Sequence, residues 1–261
     1  MELLKGYITP KRIRAALEKL PEQLGDAYDD IMDRIDRQED DNKTIVYTAL
    51  TWITYARRQL TVDELLQVIA LGLEPDCTDI DSDDLIHVDL LLSSCAGLVI
   101  LDNSNYRIAR LVHYTTQEYL KKRFPEVDAH TFLAKSCLTY LTLDAFADPP
   151  ENYARFMKQY PLSGYAATCW ADHSRQGREQ DLIDAILLSL QSETKRELVE
   201  RMEYDYRSSR RSSVVRSMIP FRSILFFRSS RSSILHLTVA KGLLQTSHTL
   251  LKQATRLCDP I

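Results

Sequence analysis

The stretch CAGLVILDNSNYRIARLVHYTTQEYL, Cys95 to Leu120, changes character three times. Gly97 stands where a helix ends, because a residue without Cβ takes the left-handed conformation that closes the last turn. Two short apolar runs follow, Leu98 to Leu101 and Arg107 to Val112. Asp102, Asn103, Ser104 and Asn105 between them suit a tight turn, so the runs read as the strands of a hairpin. From about Thr115 the spacing becomes helical, with Thr115 and Glu118 in a capping pattern, and the helix stops before Pro125.

Working upstream, Leu85, Val88, Leu91, Leu92 and Cys95 stripe a helix that leads into Gly97. An acidic loop, Glu74 to Asp84, precedes it. Thr61 starts another helix, and Glu64 three residues on completes a capping box. Thr44 to Ala56 forms an earlier apolar-striped helix. Three helices followed by a β-hairpin is the winged-helix arrangement. The expectation is therefore a mainly α chain with a winged-helix-like domain over 41–126, flanked by helical segments.

The flanks are read more coarsely. Within the first region, 1–40, Pro10 to about Arg37 reads as one or two helices, striped by Ile13, Leu17, Leu20 and Leu24, then Tyr28, Ile31, Met32 and Ile35, with a break at Pro21. The charged run Gln38 to Lys43 reads as a connection. Residues 127–206 read as all-helical, with clear stripes at His130 to Leu143 and Gln180 to Tyr204 and breaks at Pro149, Pro150 and Pro161. Residues 207–232 are dominated by Arg and Ser and read as a flexible linker, with 233–261 as a final unit.

Composition excludes several classes. Among 261 residues there are only seven glycines, and neither G-x-S-x-G nor G-x-x-x-x-G-K-[ST] occurs. A lipase-type serine and a phosphate-cradling loop are both missing, so no catalysis is expected of this chain alone. The six histidines show no zinc spacing, and neither a metal nor another cofactor is expected. Five cysteines, at 77, 95, 137, 169 and 258, form no C-x-x-C pair; free thiols in a cytoplasmic, reducing setting are the better reading. DNA is an unpromising partner. Between Arg58 and Arg107 there is no Lys or Arg but there are ten Asp and Glu, so the third helix would be repelled by phosphates. The opposite holds between Tyr206 and Cys258, where ten Lys and Arg face no acid. That basic third, with Phe221, Phe226 and Phe227, leaves RNA or an anionic membrane open as an alternative partner.

Several segments resemble known families. LEKLPEQLGDAYDDIMDRI, within Ile13–Ile35, resembles the helical end of NACHT NTPase modules in fungal NOD-like receptor (STAND) proteins. LTVDELLQVIAL (Leu60–Leu71), CAGLVILD (Cys95–Asp102) and LVHYTTQEYL (Leu111–Leu120) together resemble the GPI inositol-deacylase winged-helix domain. YPLSGYAATCWADH (Tyr160–His173) is similar to a helical motif that commonly follows it. SILHLTVAKGLLQTSHTLL (Ser233–Leu251) resembles the first helix pair of an ankyrin repeat, with Leu235 and His236 at signature positions and Gly242 between the helices. Ser233, Ile234 and Thr238 depart from that signature. A single repeat cannot bury its own face, so the resemblance implies further repeats.

The resemblance also singles out His113. In related signalling ATPases a winged-helix histidine, in a Met-His-Asp motif after a strand, contacts the β-phosphate of bound ADP. Here the junction reads Leu111-Val112-His113-Tyr114, so the histidine matches and its neighbours do not. The alternative is a structural histidine that caps the turn. Trp170 and His173, with Tyr165 and Ala166, share a helix face better suited to core packing than to a ligand. The function implied is regulatory and non-catalytic: a signalling fragment that packs on an NTPase module and presents a protein-binding surface.

Overall fold

The computed structural model describes residues 24–102, 107–148, 150–209, 237–239 and 241–258. The first helix, α1, spans 24–36, and buries Met32 and Ile35 completely. α2 follows at Asp40–Tyr55, α3 at Val62–Leu73 and α4 at Val88–Ser94. The strands β1 (Val99–Asp102) and β2 (Ile108–Leu111) pair antiparallel in the register Val99↔Leu111 and Leu101↔Ala109. α5 (Tyr114–Arg123) completes the winged-helix order.

Local chemistry accounts for the boundaries. Thr61 accepts a hydrogen bond from the Glu64 N–H while the Glu64 carboxylate accepts one from the Thr61 N–H at 2.8 Å. The capping box is therefore formed as read. Replacing Thr61 by alanine is expected to cost about 1 kcal/mol, seen as a lowered urea midpoint with unchanged slope. After α4, Ala96 and Gly97 take φ of 49° and 86°, turning the chain into β1. A single bridge between Thr61 and Ile108, with the Val62 N–H donating to the Arg107 carbonyl, fastens the start of α3 to the hairpin.

Two expected boundaries are corrected. The supposed connection Gln38 to Lys43 is mostly helix, since α2 begins at Asp40. Its first turn holds Asp40 and Asp41, which favour the positive helix end, and Lys43 pairs with Asp40. The stripe Gln180 to Tyr204 is two helices. α6 (Glu126–Tyr140), α7 (Tyr153–Gln159) and α8 (Ser163–Gln176) lead to α9 (Glu179–Ser189) and α10 (Glu193–Ser209). At the α9–α10 break, the Arg196 guanidinium donates to the carbonyls of Leu190 and Gln191, satisfying backbone groups that a continuous helix would use.

α6 and α8 form the closest helix pair, and α9 and α10 pack beside them. The core runs unbroken from α2 and α3 through α6 to α8; Trp52, Tyr140, Tyr165 and Trp170 are all fully buried in it. A further helix, α11 (Leu244–Cys258), rests on α9, where the Thr246 N–H and hydroxyl both donate to Glu179. No helix among the described residues is long and apolar enough to cross a membrane.

Candidate functional site

His113 sits at the junction the sequence singled out, and it is the N-cap of α5. Its Nδ1 accepts from the Thr115 N–H at 3.3 Å and lies 2.9 Å from the Thr115 hydroxyl. This corrects the reading of Thr115 as the cap: the imidazole takes that role, and Thr115 is the second residue of the helix. His113 is nonetheless exposed, and it helps to line a cleft of about 340 Å³.

Four elements build that cleft. The end of α2 supplies Ile53, Thr54 and Ala56, the α2–α3 link Arg58 and Leu60, β2 Ala109 to Leu111, and α5 His113, Tyr114 and Gln117. The lining mixes apolar side chains with polar ones and two arginines, Arg58 and Arg110. Arg110 is exposed and 3.8 Å from Asp102, a separation at which an exposed pair contributes little. Val112 and Tyr114 beside the cleft are exposed large apolar side chains.

A chain of hydroxyls fixes the tautomer of His113. The Thr116 hydroxyl donates to Tyr28 at 3.1 Å, so the Tyr28 O–H is free to donate to the Thr115 hydroxyl at 2.8 Å. Thr115 then donates to His113 Nδ1, and the ring proton is left on Nε2. That N–H has no partner among the described residues, which suits it to an acceptor from outside. Tyr28 belongs to α1, so the upstream helix reaches the cleft through one residue. The same helix is fastened along α5 by Tyr119 donating to Asp29 at 2.5 Å and by Arg123 against Asp36 at 3.1 Å. The Tyr28 and Tyr119 rings lie 5.1 Å apart between them.

Arg58 ties the cleft to the distal helices. Its guanidinium makes two hydrogen bonds to Glu64, at 2.7 and 2.5 Å, and stacks between the Tyr165 ring of α8 and the Tyr206 ring of α10. Burial works against its charge; the hydrogen bonds and charge of Glu64 outweigh that and hold the guanidinium above its ordinary range. Little in the local sequence marks Arg58: Glu64 lies six positions on, but the two rings come from distant segments, α8 and α10.

The other singled-out residues fall where packing puts them. Trp170, Tyr165, Ala166 and His173 are all buried in the core, the packing role that their helical spacing suggested. Gly242 takes φ of 70° ahead of α11, while Leu235 and His236 lie outside the described residues, as does most of the Arg/Ser tract. Burial pushes the Cys95 thiol up to about 12 and Cys137 well above its ordinary value, so neither is a ready nucleophile. His87 caps α4, whose Asp89 and Leu90 face outward. No group of His, Cys, Asp and Glu among the described residues could hold a metal ion.

Three helices, a paired hairpin and a capped strand-to-helix junction define a winged-helix domain. Residues 30–143 match the family described as the winged helix domain of GPI inositol-deacylase, and this part of the chain is a winged-helix domain of that type. The chain is also similar to the azaphilone pigments biosynthesis cluster protein L of Monascus ruber, a fungus, with 28% identity over 187 residues. That match takes in 62% of this chain and 37% of the relative, so the chain spans little more than a third of the relative's length. No solved structure matches significantly.

Proposed function

We propose that the chain is a non-catalytic regulatory and protein-interaction part of a fungal signalling protein of the NACHT (STAND) type. In this reading the winged helix packs on a nucleotide-binding module with the His113 cleft turned toward it. The observation that carries the proposal is the cap itself: Nδ1 is engaged at the helix start, and Nε2–H is left as a donor on an exposed ring that helps to line the cleft. A donor just ahead of a helix N-terminus favours an anion, as the β-phosphate of ADP would be. The exposed Val112 and Tyr114 supply apolar contact around it. The path from Tyr28 to Thr115 to His113 gives the upstream helix, which resembles the end of a NACHT module, a direct hold on the sensing ring. The carboxylates ahead of α4 (Asp81, Asp83 and Asp84, all exposed), with Asp89 in its first turn, argue against a DNA reader. The C-terminal turn and α11 would begin an ankyrin array for partner binding, and the setting would be cytoplasmic.

The test uses the chain joined to a P-loop module. A hydrogen bond to a charged group contributes about 1.5–3 kcal/mol, so His113→Ala is expected to speed ADP release roughly 10- to 100-fold. His113→Asn, which keeps a capping oxygen, separates the two roles: helix stability is retained while ADP is still lost. Unchanged ADP retention in both variants would remove the sensor reading.

A further inference from the structure

The α6–α8 interface contains a line of hydrogen bonds that the proposed cleft does not use. His130 Nδ1 and His173 Nδ1 lie 2.9 Å apart, and both rings are buried. His173 Nε2 is 2.8 Å from the Tyr165 hydroxyl, which accepts at 2.9 Å from the Arg57 N–H. At the other end, His130 Nε2 is 3.7 Å from the Glu126 carboxylate.

Donor and acceptor counting gives this line one direction. Tyr165 has a single proton, and with its oxygen accepting from Arg57 that proton goes to His173 Nε2. His173 then carries its own proton on Nδ1 and donates it to His130 Nδ1. His130 in turn holds its proton on Nε2, toward Glu126. The three hydrogen bonds from Arg57 to His130 are all made only when both rings are neutral and hold opposite tautomers. The His130 Nε2–H is then left toward Glu126 at 3.7 Å, too far for a hydrogen bond. One added proton turns at least the Tyr165–His173 link around, which strands the Tyr165 O–H without an acceptor and buries a charge. A second sets two N–H groups against each other at 2.9 Å. The line also crosses between units: Arg57 lies in the α2–α3 link, between the cleft residues Ala56 and Arg58.

We infer that His130, His173 and Tyr165 form an acid-released latch, which in its neutral state holds the α6–α8 helical segment against the α2–α3 link of the winged helix. The charged and titratable groups around it agree in direction. From the link come the Arg57 cation and the Arg58 guanidinium over the Tyr165 ring, from α2 the Tyr55 ring edge-on to His130, and from α8 Cys169, which with Cys137 of α6 faces Tyr165. Only Glu126 favours a charged ring, and its side chain is largely exposed. Burial, then the neighbouring His130 and Arg57, hold the His173 imidazole down to about 3. Burial and Arg57 also lower His130.

The sign follows from which state binds the proton. An unfolded histidine takes one up near pH 6.5 and the folded pair does not. The latch's contribution is therefore complete above that pH and is lost as pH falls toward 3. For His173 alone the folded-to-unfolded ratio is expected to drop roughly 20-fold from pH 7 to pH 5.

Two measurements on the whole chain test this. In imidazole nitrogen NMR of the unaltered protein, two of the six rings should stay neutral at pH 5, with opposite tautomers. Rings that all titrate near 6.5, or a matching tautomer pair, would overturn the latch. In urea unfolding at pH 7 and pH 5, His173→Gln should lose much less stability on acidification than the unaltered chain. An equal loss in both would overturn it too, and if the variant does not fold, the NMR result decides alone.

Discussion

Arg58→Ala is expected to lower the unfolding free energy by about 3–5 kcal/mol, a range measured when one partner of a buried ion pair is removed. The arginine is not merely lost. The side chain of Glu64 is 7% exposed, and without the guanidinium it is a stranded carboxylate at the start of α3. The same substitution empties the space between the Tyr165 and Tyr206 rings, so α10 loses its hold on the winged helix. Amide exchange should therefore rise first in α10 and at the start of α3, and last in α2. Arg58→Lys restores the charge but neither the paired hydrogen bonds nor the stacking, and should recover less than half the loss. A double change, Arg58→Met with Glu64→Gln, tests the cause directly. With no charge left unpaired, it should be more stable than Arg58→Ala. A loss below about 1 kcal/mol for Arg58→Ala would mean that the pair behaves as a surface contact.

The contrast between Arg58 and Thr61 shows what the sequence could reveal. The Thr61–Glu64 box, the turn at Gly97 and the two strands depend on residues within a few positions of one another, so their chemistry is visible in order along the chain. His113 was different: the resemblance to a Met-His-Asp motif singled it out, and the local pattern only placed it between a strand and a helix. Its capping role stood as the alternative reading, with Thr115 two residues later as the commoner cap, and the structure shows the imidazole in that role. The charged first turn of α2 was missed because apolar periodicity is blind to a turn that carries only Asp40, Asp41 and Lys43. The break after Leu190 was hidden because α9 and α10 both continue an apolar stripe, and the arginine that satisfies the broken turn lies beyond it.

Contacts across long separations gave no local signal at all. Tyr28 meets Thr115 across 87 positions, and His130 meets His173 across 43. In the sequence His173 was one member of a helix face that could only be assigned to the core. The core assignment was right, and it was also incomplete. A buried histidine must place two nitrogens, and the partners that satisfy them decide whether it is inert filling or a group that answers to pH.

A glycine marks the place where that interface is tightest. Gly177 ends α8 with φ of −89°, a value any residue adopts, so conformational freedom is not its reason. Space is. A Cβ there would lie 2.6 Å from the Thr131 backbone nitrogen and 2.8 Å from its Cα. Those atoms belong to α6, and they cannot give way as the tip of a flexible side chain can. Gly177→Ala is therefore expected to cost about 3 kcal/mol, the upper end for overpacking, because α6 and α8 must part. Gly25→Ala is the matched control. Nothing lies within 4 Å of a Cβ at that position in α1, so the change should stabilise by about 0.5–1 kcal/mol through lost chain entropy. Parting the helices at Gly177 also pulls Thr131 away from the Arg178 N–H, 2.7 Å from its hydroxyl, and moves the neighbouring His130. The variant should then unfold more easily at pH 7 and show less additional loss at pH 5, since the neutral histidine pair is already weakened. Equal urea midpoints for the two alanine variants would show that the α6–α8 contact is looser than its geometry states, and would weaken the case for the latch with it.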